Sequence, residues 1–395
     1  MTVKKHDVII IGGGPGGSQA ATLLAKQGFD VAIIEREEYP RFHIGESLLP
    51  ASMPLLKKSG FFEVLNSGKY ITKCGARFID YRTEDEVYFG FAEGFNPDIP
   101  TAFEVERGEL DKDMLAFAVQ SGAKIYQPEN VLEVDLQPNG VRIQTDKNRF
   151  EAEYVMDVSG RDSILGKRMK MRDVNADLNN VAVFAHYKNV KRRPGRDEGD
   201  ITIGLLPNRA WTWIIPFKGD VTSVGVVASA KFRGEVNLET YLNDSLLKSE
   251  TVKSIMQDSE RVSELRSIGN YSHTCQKFYG DRWILSGDAA MFLDPIFSSG
   301  VHMSLSSSTF ATEVIARAFP DKRSLAEADL GAPYEEKVRR GAKRFHNLIS
   351  MFYEGHFVEQ MKKTLVRENL RKGFTSAVAG DVWNEDNFLF SKNVL

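Results

Sequence analysis

The stretch that most limits what this chain can become is DVIIIGGGPGGSQAATLLAKQGFDVAIIER, residues 7–36. Val8 to Ile11 is a short β-branched apolar run, suited to a strand buried on both faces of a parallel sheet. It stops at Gly12-Gly13-Gly14-Pro15-Gly16-Gly17, which contains G-x-G-x-x-G. Ser18 to Gln27 reads as a helix closed by Gly28, and Val31 to Ile34 as a second strand that ends at Glu35 and Arg36. In such a unit Gly12 allows the tight turn, Gly14 lets the backbone approach a pyrophosphate, and Gly17 lets helix and strand pack closely. Pro15 and Gly16 belong to the same phosphate-facing turn, and the helix start offers free N–H groups to the phosphates. Glu35, 18 positions past Gly17, stands where an acid accepts hydrogen bonds from a ribose. The order of these parts predicts a dinucleotide site. It does not separate FAD from NAD.

The totals narrow the class. A length of 395 residues suggests about two to three domains. A net charge of −3 leaves no footprint for nucleic acid or an anionic membrane. No apolar run reaches the roughly 18 residues of a membrane span. Lys4 and Lys5 run straight into the first strand, which leaves no room for a signal peptide. Two cysteines imply no disulfide framework, and the seven histidines form no H-x-x-x-H or Cys/His cluster, so no metal site is expected. A cytoplasmic, cofactor-using enzyme is the expectation.

Further along, Pro40 to Pro50 reads as a loop, with Arg41 near phosphates and Glu46-Ser47 near the cofactor, and Met53 to Gly60 as a helix. Ala76 onward and Glu86 to Phe91 read as paired strands. Lys73, just before them, looks on its own like a surface charge. A helix is expected over Lys112 to Gln120, with Arg107 before it as a second phosphate ligand. Ala123–Gln127, Val131–Leu136, Val141–Thr145 and Phe150–Met156 read as strands, with a hairpin turn at Asn139-Gly140. The last of these runs into Asp157-Val158-Ser159-Gly160-Arg161, the kind of small-residue end where a doubly wound sheet binds its ligand.

Val181–Lys188, Ile201–Leu206, Ala210–Phe217 and Val221–Ser229 suggest an antiparallel sheet in a different layer. Trp211 and Trp213 share one face of a strand, which by itself reads as core packing. Leu238 to Ile255 reads as helical. Arg282 to Ala290 is another strand ending in small residues and Asp288, an acceptor for a cofactor polyol. A helix from about Val301 to Phe319 follows, and its start at Ser298–Gly300 is a candidate anion site. Tyr334 to Arg371 reads as one or two helices with a phenylalanine-rich face.

At Gly12–Gly17, Arg107, Asp157–Arg161 and Gly287-Asp288 the chain resembles the flavoprotein monooxygenases built on the aromatic-hydroxylase fold, over about residues 5–320. Three further stretches are similar to flavin-dependent halogenases. They are Trp211-Thr212-Trp213-Ile214-Ile215-Pro216, the strap-like Arg41 to Pro50, and Asp294 to Val301, which looks like the halide and flavin segment. Lys73 falls where that family keeps its active-site lysine, so the resemblance reverses the bland readings of Lys73 and the tryptophan pair.

The resemblance implies an α/β (α+β) fold: a Rossmann-like FAD-binding domain with a parallel sheet, an antiparallel-sheet substrate domain and a small C-terminal helical region. The expected boundaries are 1–70, 104–175 and 270–320 for the first, 71–103 and 176–269 for the second, and 321–395 for the third. It also implies FAD bound by Gly12, Gly14, Pro15, Gly16, Gly17, Glu35, Arg36, Arg41, Ser47, Arg107, Val131, Asp288, Gly300 and Val301. A flavin reductase supplies the reduced form. Chloride or bromide is held by Ser299 and Gly300, and hypohalous acid made at the flavin travels to Lys73. Trp211 and Trp213 keep the flavin from the substrate.

One departure bears on that substrate. Tryptophan halogenases carry a glutamate where this chain has Phe297. A phenol or pyrrole is activated by its own heteroatom and can dispense with that carboxylate, so a phenolic or pyrrolic substrate is expected, free or on a carrier protein. A second departure is the short region after Pro320, which implies a reduced substrate cover. Two readings compete. One is a monooxygenase or prenyl-lipid reductase of the same fold, marked by hydroxylated or saturated product in the presence of halide. The other is a non-catalytic flavin-binding protein, marked by no oxygen uptake with reduced FAD. Monomer and dimer both remain open.

Overall fold

Val8–Ile11 lies within the strand Val3–Ile11 of a computed structural model that describes residues 3–174, 180–229, 236–269, 272–391 and 395. Its four apolar residues are fully buried because strands flank it on both sides and helices cover the sheet. Val31–Ile34 and Lys124–Tyr126 extend the sheet in parallel on one side, and Arg149–Asp157 lies parallel on the other. Arg149–Asp157 then has two different neighbours on its far edge. Its first half pairs antiparallel with Gly140–Thr145, and Val155–Asp157 pair parallel with Trp283–Leu285. The hairpin expected at Asn139-Gly140 joins Val131–Gln137 to Gly140–Thr145, with Gly140 at φ +149. The parallel strands thus end together, which opens a crevice at their C-terminal edge.

The helix after the glycine turn runs Pro15–Ala25, three residues earlier than expected, with Pro15 in its first turn. It packs against the long helix Ser299–Ala318. The approach is close at Gly16, where a Cβ would lie 2.3 Å from Ser304 Oγ.

The second sheet has the order Glu260–Arg261, Asn180–Lys188, Thr222–Ser229, Ala210–Pro216, Ile201–Leu206, Gly75–Asp80 and Glu86–Gly90. Arg266–Gly269 also pairs with Asn180–Lys188. The sheet is antiparallel as expected except at one join, where Ile201–Leu206 and Gly75–Asp80 run parallel. Those two strands come from distant parts of the chain, so no hairpin dictates their direction.

The helical stretch expected over Leu238–Ile255 is two helices, Leu238–Leu246 and Glu250–Met256. Ser249 divides them: its hydroxyl caps the second by accepting the Val252 N–H. Where one or two helices are expected over Tyr334–Arg371, three occur, Gly331–Tyr353, Phe357–Thr364 and Glu368–Val378, and a short fourth, Phe388–Ser391, follows. Gly355 at φ +88 makes the first break. Among the described residues no helix is long and apolar enough to cross a membrane.

Candidate active site

The crevice is a cavity of about 560 Å³ that begins at the glycine turn and ends at the second sheet. Gly12 has φ +105, and a Cβ there would come within 2.5 Å of the Val158 carbonyl oxygen. Gly17 is just as restricted, though by the turn itself: its Cβ would lie 1.9 Å from Gly12 O. Gly14 is different. Nothing lies nearer to its Cβ position than Arg41 Nη2 at 3.8 Å, so this backbone is open to the cavity. Glu35 lines the same end, but its carboxylate already braces the turn. Oε2 accepts the Gly13 N–H at 2.7 Å, and Oε1 accepts the Glu37 N–H at 2.8 Å.

Arginines ring the cavity. Arg107 is the first residue of the helix Arg107–Gln120, which starts a turn earlier than the apolar pattern suggests. Its Nε and Nη2 grip both oxygens of Asp111 at 2.8 and 3.0 Å, and Nη1 donates to Ile44 O at 2.5 Å. Arg41 donates from Nη2 to the Tyr39 hydroxyl at 3.0 Å. Its Nη1 lies 3.4 Å from the Asp111 carboxylate with no hydrogen-bond partner. Arg36 pairs with Asp162 on the cavity wall, where Val131 also lies. Asp288 faces the cavity, its carboxyl pushed up to about 6 by burial against the pull of Arg107 and Arg161. Burial and the nearby Arg107 hold the His43 imidazole down to about 3, so it is neutral at physiological pH.

Trp211 and Trp213 stand side by side on the strand Ala210–Pro216, ring centroids 5.7 Å apart, and both line the cavity. Each indole N–H is satisfied: Trp211 donates to the Tyr353 hydroxyl and Trp213 to Ser223 Oγ, both at 3.1 Å. Gly225 on the next strand leaves the room that the Trp213 ring fills, since a Cβ there would sit 2.3 Å from the ring.

Lys73 is not on the surface. It is 1% exposed, and it does not line the cavity; Ser47, which does, stands between. Lys73 Nζ donates to Ser47 Oγ at 2.8 Å and to Leu48 O at 3.2 Å, and sits 5.3 Å from the centre of the Phe91 ring. Glu104 Oε1 is 4.0 Å away and accepts the Ser47 hydroxyl at 3.0 Å. Burial pushes the lysine down, while Glu104 and Asp200 oppose that shift.

The helix Ser299–Ala318 starts at the opposite wall. Ser298 takes a left-handed conformation, φ +54, and no side chain caps the helix, so its first N–H groups have no partner within it. Ser298, Gly300 and Val301 line the cavity. Ser299 does not: its side chain points to Asp294 O, 3.4 Å away. Of the expected Ser299–Gly300 pair, Gly300 lines the cavity, and Ser298 lines it where the Ser299 side chain does not. Phe297 is buried among Phe78, Phe352 and Phe357, at centroid distances of 5.9, 6.0 and 6.0 Å.

Comparison with known proteins fits this geometry. Residues 5–344 match the FAD binding domain family. The chain is 31% identical over 382 residues to the 1H-pyrrole-2-carbonyl-(peptidyl-carrier protein) chlorinase of Pseudomonas fluorescens, covering 89% of this chain and 84% of that protein. It belongs to the flavin-dependent halogenases. Among solved structures, the flavin-dependent brominase Bmp2 superposes with a TM-score of 0.87 at 25% identity, covering 99% of this chain and 98% of the brominase. A flavoprotein/dehydrogenase from Cytophaga hutchinsonii superposes at 0.89 and 27% identity, over 99% and 96% of the two chains.

This halogenase uses FAD as cofactor and a halide as co-substrate. The residues present fit FAD. Gly14 leaves backbone bare to the cavity, the start of Pro15–Ala25 has no side-chain cap, and the Arg41 guanidinium, whose Nη1 makes no hydrogen bond, lies beside Gly14. Several residues that hold the candidate side chains are not among those the sequence singles out. Asp111 orients Arg107, Tyr39 supports Arg41, and Glu104 faces Lys73. The available signal for Glu104 is its place between Phe103 and Val105, where a carboxylate interrupts a run that is otherwise buried.

Proposed function

We propose that Lys73 hands the oxidised halogen to an electron-rich aromatic ring, a pyrrole or phenol carried on a peptidyl-carrier protein. When bound, reduced FAD together with dioxygen oxidises a halide to hypohalous acid. Every other part of the reading rests on this chain. The uncapped start of Ser299–Ala318, with the Gly300 backbone on the cavity, is suited to hold the halide through N–H groups. The paired indoles form an apolar wall that gives water no hydrogen-bonding foothold, which favours oxidant reaching the lysine intact.

The observation that carries the reading is the burial of Lys73 immediately behind Ser47. No surface role explains a lysine 1% exposed and bonded to a cavity-lining hydroxyl. The lysine polarises hypohalous acid as a donor, or attacks it as an amine, and its lowered proton affinity serves the second role. The pyrrolic or phenolic choice is supported by Phe297 in its aromatic cluster, which supplies no carboxylate to help a poorly activated ring. The carrier is supported by the name of the chlorinase relative. A separate flavin reductase completes the reading.

The test uses the purified protein with a flavin reductase, NADH, FAD, oxygen, bromide and pyrrolyl- or phenol-loaded carrier. Wild type is expected to give the bromine isotope pair by mass spectrometry. Lys73→Ala is expected to give none while still releasing hypobromous acid that a chemical trap captures. Halogenated product at the wild-type rate from Lys73→Ala would overturn the assignment.

A further inference from the structure

Glu104 is a buried acid that the halogenation reading leaves without a task. It ends the two-stranded ladder of Ile71–Lys73 with Ala102–Glu104, and it also bridges to Ser47. The carboxyl is fully buried. Oε1 accepts the Ser47 hydroxyl at 3.0 Å, and Oε2 has no hydrogen-bond partner. The same Ser47 oxygen accepts from Lys73 Nζ at 2.8 Å, so one unbroken chain runs Nζ–H···Oγ–H···Oε1.

The other neighbours of Lys73 cannot take a proton. Leu48 offers a carbonyl and Phe91 a ring face. Burial pushes the Glu104 carboxyl up to about 8, with Lys73 and the Ser47 hydroxyl pulling it back. Burial pushes the amine down. The remaining charges facing this pair are anionic. Asp200 is held by the Cys74 and Gly75 N–H groups and the Tyr88 hydroxyl, and Glu46 by His186. Asp200 favours the charged lysine, and Asp200 and Glu46 both favour the neutral form of Glu104.

We propose that Glu104 is a positioning residue for Lys73, taking and returning the lysine's proton through the Ser47 hydroxyl. The inference rests on the Lys73 reading above. In the transfer an Nζ–H bond breaks as a new Oγ–H bond forms, and the original Ser47 Oγ–H bond breaks as Oε1–H forms. One proton moves from ammonium to carboxylate, nothing is oxidised or reduced, and the net charge of the site is unchanged. A neutral pair escapes the desolvation cost that two buried charges carry, which makes the hop accessible in this dry setting.

The test compares wild type, Glu104→Gln, Glu104→Asp and Lys73→Ala with the reductase and bromide assay between pH 6 and 10. Glu104→Gln keeps an acceptor for Ser47 but cannot take a proton. It is expected to lose the pH-dependent limb of product formation and to fall about tenfold or more at neutral pH. Its release of trappable hypobromous acid should stay within about twofold of wild type on the same grounds. Glu104→Asp is expected to recover part of the rate with a displaced limb. A wild-type profile from Glu104→Gln, beside an inactive Lys73→Ala, overturns the relay and leaves the lysine reading standing. An active Lys73→Ala overturns both. Should Glu104→Gln lose FAD binding, Ser47→Ala breaks the chain with the carboxyl in place, and an unchanged pH profile from that variant overturns the relay.

Discussion

Two buried basic side chains flank the cavity, and they are held in opposite ways. Arg107 lies on the cavity wall with its guanidinium forked onto Asp111 and a third N–H on the Ile44 carbonyl. Lys73 lies behind the wall on a hydroxyl and a carbonyl, its nearest carboxylate 4.0 Å away. A guanidinium does not give up its proton, and a bidentate pair fixes its direction. Such a group is a fixed positive charge on the cavity wall. An amine without a direct carboxylate contact in a dry site can change its protonation state. Charge sign is shared by the two, while lability separates them.

That contrast breaks most visibly at Lys73. Lys73→Ala and Lys73→Arg should both lose halogenated product by about a thousandfold, read by mass spectrometry. Recovery of activity in Lys73→Arg would mean that fixed charge suffices. Arg107→Ala should act on stability instead, because it strands the buried Asp111 carboxylate. A loss of about 3–5 kcal/mol in denaturant unfolding is expected, with weaker FAD binding by fluorescence titration. Arg107→Lys should recover little of it, since an ammonium cannot fork.

Asp294 sharpens the comparison as a buried acid bonded to Tyr353, Asn180 and the Ile296 N–H, with no lysine partner. Burial raises its carboxyl from 3.8 to about 6. Between those values the folded state holds the proton and the unfolded state does not. The stabilisation from this group is therefore present below pH 3.8 and is lost as pH rises through about 6. The difference is worth about 3 kcal/mol, and Asp294→Asn should flatten that part of a stability-versus-pH curve. The smallest effect is expected from Trp213→Phe. It removes one buried hydrogen bond to Ser223 Oγ, worth about 1 kcal/mol, and leaves the apolar wall standing.

What the sequence disclosed follows from how local the cause is. Val8–Ile11 and Val31–Ile34 announce themselves because the first is β-branched throughout, the second at all but Ala32, and both end where the apolar run stops. The helix at Arg107 starts a turn before its apolar stripe because an i,i+4 pair, Arg107 to Asp111, holds that first turn. The parallel join between Gly75–Asp80 and Ile201–Leu206 has no local signature at all.

In the site, Gly14, Arg107 and Asp288 were legible from motif spacing, and all three face the cavity. The burial of Lys73 is not legible from its own residue type, since a lone lysine in a strand reads as a surface charge; only the resemblance singles it out. The burial of Glu104 beside it is hidden for the same reason. The left-handed turn at Ser298, which points Ser299 away from the cavity, is a backbone fact that residue types do not encode.

Ser47 belongs at once to the chamber wall and to the amine's set of partners. The segment Pro40–Pro50 therefore cannot swing aside without cutting the thread that ties Lys73 to the interior. The fold in effect has an interlock: the Lys73 amine keeps both of its hydrogen-bond acceptors, Ser47 Oγ and Leu48 O, only while the chamber wall stays in place.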